Sequence, residues 1–217
     1  MSTLVGTHSE DLPEHAHAPA HEHRDDTAAK IGMWLFLFTE LMLFGILFLV
    51  YAVYRSIYSE DFHHAALELN VALGSFNTFV LLTSSMTMAM SIAALQKRDK
   101  NLSMVLLLAT IVLGALFMVN KYFEWGAKIH HGLYPASEHM RTLPHGEQLF
   151  YGLYYTMTGL HGLHVLAGMG LLSLMLYFVV RDKIRPDRHV MLENSGLYWH
   201  LVDLIWIFLL PLFYVTT

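Results

Sequence analysis

Cysteine is absent from this chain of 217 residues. Its absence excludes disulfides, thiolate metal centres and a CxxCH haem attachment, and leaves the redox compartment unmarked. Charge is scarce as well: 14% of residues are Asp, Glu, Lys or Arg, against about 25% in an ordinary soluble domain. There is no phosphate-cradling glycine loop, no GxSxG turn and no CxxC pair, so the common nucleotide, serine-nucleophile and dithiol chemistries have no carrier. No basic face for nucleic acid is present either. The first thirty or so positions are polar and lack an apolar segment, so they do not read as a signal peptide.

What is present is hydrophobic and gathered into blocks. Apolar residues make up 55% of the chain and the mean hydropathy is +0.43. The expected fold is all-α and integral to a membrane, with five transmembrane helices at about 30–54, 69–95, 102–125, 149–180 and 197–215. Residues 30–217 form that helical domain, preceded by a His-rich tail over 1–29. The tail's EHAHAPAHEH tract could chelate a metal, but it lacks fixed site spacing and reads as a solvated, disordered segment. Orientation follows from Lys and Arg. Arg24, Lys30, Lys97, Arg98, Lys100, Arg181, Lys183, Arg185 and Arg188 fall on the side of the N-terminus. Arg55, Lys121, Lys128 and Arg141 fall on the other. The expectation is therefore N-terminus inside, C-terminus outside. The net charge of −5 carries less information than this asymmetry.

Ionisable residues inside apolar spans are costly unless paired, so they mark sites. Glu40 lies about ten residues into the first span, where a carboxylate must be neutralised, paired or in contact with water. His161 and His164 sit three residues apart and share one face of the fourth span. His200 and Asp203 repeat that spacing in the fifth, and Glu193 lies near its start. Partners for the two histidines are expected among these residues on other helices, above all Glu193, His200 and Asp203. Near the end of the third span Lys121 and Glu124 have a spacing that permits pairing. Tyr122, Phe123 and Trp125 beside them, and Tyr198 and Trp199 in the fifth span, suit a membrane–water interface. Thr83/Thr87, Ser85/Ala89 and Thr158/Gly162 have the small-xxx-small spacing of closely packed helices. The histidines of the long loop before the fourth span read as surface residues.

Three chemistries fit this set. A metal site could combine HxxH with His200 and Asp203. A proton path would use the buried acid and the histidines, although no broken-helix pair or inverted repeat points to a transporter. In the third, acid–base pairs lock the bundle and each member satisfies the other.

Four segments carry a resemblance to a known family. GMWLFLFTELMLFGILF, FNTFVLLTSSMTMAMS, TGLHGLHVLAG and LENSGLYWHLVDLIWIFL resemble the shared helices of subunit III of the haem-copper terminal oxidases, in the short five-helix bacterial form. The similarity runs over about 31–214 and places Glu40, His161, His164, Glu193, Trp199, His200, Asp203 and Trp206 at motif positions. Lys121 departs from the pattern: it stands where the family often has the first of two acids, and only Glu124 is kept. The resemblance implies a non-catalytic core subunit in a bacterial inner (cytoplasmic) membrane. Such a chain has no haem, copper or catalytic residue of its own, since those cofactors sit in partner subunits. It packs against catalytic subunit I, holds phospholipid and supports proton uptake while oxygen is reduced to water. Glu124, Trp125 and Trp199 are its candidate lipid or interface residues. The histidines then read as internal pairs rather than ligands. Cytochrome c is the expected electron donor. A quinol oxidase, or an accessory subunit of a nitric-oxide reductase, is the alternative, ahead of a free-standing transporter.

Overall fold

The computed structural model describes residues 26–130, 132–134 and 137–215. Within these the chain is helical, with no β-strand among the described residues. Five helices are long and apolar enough to cross a membrane: α1 (Asp26–Ile57), α3 (Val71–Gln96), α4 (Lys100–His130), α6 (His145–Val180) and α7 (Val190–Leu210), the last running on to Val215. Two short helices, α2 (Ser59–Leu67) and α5 (Glu138–Thr142), lie in the connections.

The expected spans are all found, and most are longer than the apolar runs that announced them. Helix α1 starts at Asp26, so the last residues assigned to the tail are helical; residues 1–25, with the tail's histidines, lie outside the described residues. Helix α4 continues past Trp125 to His130, because its last turns are amphipathic rather than polar. Lys121, Glu124 and Lys128 point inward there while Tyr122 and Phe123 are exposed. Helix α7 begins at Val190 rather than near Leu197. The acidic connection after α1 is itself largely helix α2.

Helix ends are set by local chemistry. Asn70 caps α3 by accepting from the Leu73 N–H at 3.1 Å, and Asp99 accepts from the Leu102 N–H at 3.0 Å in the first turn of α4. Pro211, which has no N–H to donate, ends the regular part of α7, and the chain continues as a π-helical turn over Pro211–Val215.

Helix α7 is the hub. It packs against α1, α3 and α6, while α3 and α6 both pack against α4. Small and hydroxylated residues bring α3 and α4 together: Ser84 donates to the Thr110 carbonyl, Thr87 meets Thr110 at 2.8 Å, and Ser91 donates to the Ser103 carbonyl at 3.0 Å. In an apolar solvent the helix faces gain little from burial of hydrocarbon, so such close backbone approach and hydroxyl bonding carries much of the association. Helix α1 is peripheral. It turns Trp34, Leu35, Phe38, Ile46 and Leu49 outward, as a helix facing hydrocarbon or a neighbouring subunit would.

Candidate functional site

Glu40 of α1 and His164 of α6 meet inside the bundle. Glu40 Oε2 lies 2.8 Å from His164 Nε2, with both side chains about 15% exposed. The ring's other nitrogen, Nδ1, is 2.7 Å from the Leu160 carbonyl one turn back. A carbonyl can only accept, so Nδ1 carries a hydrogen. The contact at Nε2 therefore holds one shared proton: either the glutamic acid donates to a neutral ring, or an imidazolium donates to a carboxylate. Phe44 lies edge-on to the same ring at 5.4 Å and covers one side of it.

Glu40 is one of the four candidate partners for His164, but not one of the three singled out above. Glu193, His200 and Asp203 all lie elsewhere. Glu193 sits in the first turn of α7 at the end of the bundle. It is paired with Lys30 at 3.1 Å and His189 at 3.0 Å, and it accepts from Gln96 at 3.2 Å. His200 turns to α3, where its Nδ1 hydrogen-bonds the Ser85 hydroxyl. Asp203 is 3% exposed, and neither carboxylate oxygen has a hydrogen-bond partner among the described residues. Ser85 is its polar neighbour, already engaged by His200. The physical reason is rotational: residues three apart share a face, but the face of α7 that carries His200 and Asp203 looks at α3, not α6.

His161 also departs from the expectation. It is fully buried, and neither ring nitrogen has a hydrogen-bond partner among the described residues. Its neighbours are aromatic: Phe117 edge-on at 5.6 Å and Trp206 at 5.3 Å. Trp206 is anchored in turn by its indole N–H, which donates to Thr78 at 3.0 Å. His161 is thus held by ring packing, worth about 0.5–1.5 kcal/mol per pair beyond burial.

Below this aromatic layer lies the most heavily bonded cluster. Lys121 donates to Glu124 Oε2 at 2.9 Å and to the Tyr214 hydroxyl at 2.7 Å. The Tyr154 hydroxyl donates to Glu124 Oε1 at 2.7 Å, and Tyr214 bonds the same oxygen. The Lys121 ammonium also sits 4.6 Å above the Trp206 ring. Burying an ion pair is tolerated when further hydrogen bonds satisfy its remaining atoms, and here two tyrosines do so. Glu124, read from the sequence as a lipid or interface residue, is buried in this cluster and also lines a cleft at that end of the bundle. The tyrosines, and the buried Lys128 one turn further on, were not marked by any motif. For Lys128 a signal existed: positions 121, 124 and 128 share a helix face.

Trp199 corrects a further expectation. It is fully buried rather than interfacial. Its indole N–H donates to Ser84 at 3.0 Å, and its ring fills a space left by two glycines. A Cβ at Gly114 would approach the ring to 2.8 Å, and one at Gly168 to 2.9 Å. Trp125 is half-buried and stacked edge-on with Tyr155 at 5.4 Å. Tyr122 and Phe123 beside it are exposed, as interfacial rings would be. His130, His139 and His145 of the loop region are exposed; His131 lies outside the described residues.

Among the described residues no group of three or more His, Cys, Asp or Glu side chains converges as a metal site. The histidines and acids are spread over separate contacts between different helix pairs. Fold and site together define a multi-pass helical membrane protein whose intramembrane acids and bases sit mainly in its own helix–helix contacts.

The comparisons with known proteins make this specific. Residues 7–217 match the family described as cytochrome c oxidase subunit III. Cytochrome c oxidase subunit 3 of Thermostichus vulcanus is 30% identical, over 91% of this chain and 91% of that protein. A probable quinol oxidase subunit 3 of Staphylococcus haemolyticus is 29% identical, over 86% of this chain and 88% of that protein. Cytochrome bo(3) ubiquinol oxidase subunit 3 of Pseudomonas aeruginosa is 28% identical, over 99% and 98%. The chain belongs to the cytochrome c oxidase subunit III family. It is a haem-copper oxidase subunit III, a multi-pass membrane protein that associates with other oxidase subunits.

Proposed function

We propose that this chain is the non-catalytic core subunit of a bacterial oxidase in the cytoplasmic membrane, stabilising catalytic subunit I, holding phospholipid and supporting proton uptake as oxygen is reduced to water. Haem and copper belong to the partner subunits in this reading. The observation that carries it is the Glu40–His164 contact. It places an acid–base pair sharing one proton on the peripheral helix α1, whose apolar outer face is free for a neighbour. Lipid binding is supported by a cleft of about 720 Å³ at the end of the bundle away from Glu193. Leu73, Phe123, Ala127 and Leu133 give it an apolar wall, and Lys128, Asn70, Glu68 and Glu124 give it polar groups, a division that suits an amphiphile. The distribution of Lys and Arg supports an orientation with the N-terminus inside and the C-terminus outside. The six residues Glu40, His161, His164, Glu193, His200 and Asp203 serve assembly and proton handling, and Glu124 and Trp125 line or flank the lipid cleft.

The experiment is purification of the complex from its own membrane, with subunit mass spectrometry, lipid analysis and turnover. The reading requires subunit I to co-purify, phospholipid to be retained, and removal of this chain to shorten the working life of the oxidase. A chain that purifies alone, with no oxidase subunit, overturns it. Quinol as donor is the second reading, supported by similar identity to quinol oxidase subunits and to cytochrome c oxidase subunits. Oxidation of reduced cytochrome c against quinol by the purified complex separates the two.

A further inference from the structure

The cleft at the end of the bundle away from Glu193 carries a charge that the chain does not pair. Lys128, in the last turns of α4, is 7% exposed, and its ammonium makes no hydrogen bond or ion pair among the described residues. It faces the Tyr154 ring at 5.6 Å from the centroid, close to the outer limit of such contacts. A buried ammonium with its three N–H groups unmatched is costly. The wall that holds it is suited to an anion.

The acids of the cleft are engaged elsewhere. Glu124 is ion-paired with Lys121, and its second oxygen is bonded by Tyr154 and Tyr214. Glu68 stands at the exposed rim, where its Oε2 accepts from the Tyr151 hydroxyl at 2.7 Å. With Glu124 set against Lys121, the cleft keeps one buried cation, Lys128, and one exposed anion, Glu68. The connection after α4 closes one side. Gly132, at φ +74, turns the chain back, and the Leu133 N–H donates to the Lys128 carbonyl at 3.0 Å, which brings Leu133 into the wall. On the other side Phe123, 68% exposed, carries the apolar wall out to the lipid-facing surface of α4.

We propose that this cleft selects a phospholipid with an amine headgroup, of the phosphoethanolamine class. Lys128 donates to the phosphodiester oxygens, Glu68 accepts from the headgroup ammonium, and an acyl chain leaves past Ala127 and Phe123. The buried cation and the exposed anion match the order of phosphate and amine in a lipid whose chains lie in hydrocarbon. The two charges cancel, so a zwitterion leaves the cleft neutral, whereas an anionic headgroup sets its charge against Glu68 with no gain at the rim. A choline headgroup has no N–H for a carboxylate to accept and is held by a cage of aromatic faces. Phe123 alone among the lining residues brings a Phe, Tyr or Trp ring.

This rests on the phospholipid-holding reading above and adds the headgroup and the residues that select it. The test is native mass spectrometry of the intact membrane complex, counting bound phospholipid in wild type and variants after exchange into micelles holding equal phosphatidylethanolamine, phosphatidylglycerol and phosphatidylcholine. Wild type is expected to keep one phosphatidylethanolamine more than Lys128→Met does, and Lys128→Arg to keep it as well. Glu68→Gln is expected to hold a lipid but to lose a preference of about tenfold or more for the amine headgroup over the glycerol one, as loss of a charged hydrogen bond does. That variant, at the exposed rim, carries the test where Lys128→Met does not assemble. Equal lipid counts in wild type and Lys128→Met, or equal retention of the three headgroups by wild type, overturns the proposal and leaves the holding of phospholipid standing. A wild-type complex that keeps no phospholipid overturns both.

Discussion

Glu40 and His164 belong to helices that lie far apart in the chain, yet Oε2 and Nε2 stand 2.8 Å apart inside the bundle. The bond from the ring's other nitrogen to the Leu160 carbonyl fixes which atom faces the acid. The pair ties the peripheral helix α1 to the interior, where α1 otherwise buries only Leu37, Phe44 and Tyr51 fully. Replacing Glu40 by Ala leaves the imidazole without its partner, which costs about 1–3 kcal/mol. The expected outcome is a complex with near-normal initial turnover and a shortened working life, read by following oxygen consumption to exhaustion. Immediate loss of all turnover in a fully assembled complex contradicts it. Glu40→Gln, which keeps a hydrogen bond, is expected to fall between wild type and Ala.

The Lys121–Glu124 pair makes a different prediction. Removing one member strands a buried charge, which costs about 3–5 kcal/mol, whereas replacing both by apolar residues of similar size is close to neutral. Lys121→Met and Glu124→Leu are each expected to destabilise the chain strongly, and the double variant to recover most of the loss. Reversible denaturation in mixed micelles measures the cycle. Simple additivity of the two losses contradicts the internal role given to Glu124.

Trp199 sits between two glycines that leave no room for a methyl group. Gly114→Ala and Gly168→Ala each push atoms against its ring, and overpacking of this kind costs about 1–3 kcal/mol. Both are expected to lower thermal stability, and pairing either with Trp199→Phe is expected to restore part of it. Insensitivity of the melting temperature to both glycine changes contradicts the packing described.

Outside the membrane, the Lys100 ammonium hydrogen-bonded to Asp182 at 2.7 Å holds that carboxyl below the ordinary value of 3.8. A depressed acid stabilises the folded chain above its unfolded value and loses that contribution as pH falls through the folded one, so the window lies below 3.8. Asp182 is fully exposed, and its replacement by Asn is expected to leave stability at neutral pH almost unchanged. A large change in the melting temperature at neutral pH counts against this.

Much of the architecture was legible because the solvent is hydrocarbon. Five apolar runs must be helices there, since no other single segment satisfies its own backbone. Their ends were less legible: α7 opens on a turn holding Glu193 and Asn194, polar residues that mimic a loop while serving contacts to Ala29, Lys30 and Gln96. The polar residues inside the spans were also identifiable, because each breaks an apolar run. Their partners were not. Spacing along α7 tells that His200 and Asp203 share a face, but the neighbour opposite that face depends on how the helix is rotated. That rotation is set by Trp199 seating between Gly114 and Gly168, contacts between three helices that no single segment displays. Trp199 misled for the same reason: a tryptophan near an apparent helix start suits an interface, and the true start lies further back, at Val190.

The account rests on the intramembrane histidines and acids serving contacts within this chain, leaving redox chemistry to its partners. The most direct test is to purify the intact complex, separate this subunit under mild conditions and measure haem and copper in each fraction. The account predicts that both stay with the partner subunits and that the separated chain carries neither in stoichiometric amount. Tightly bound haem or copper travelling one-to-one with this chain contradicts it.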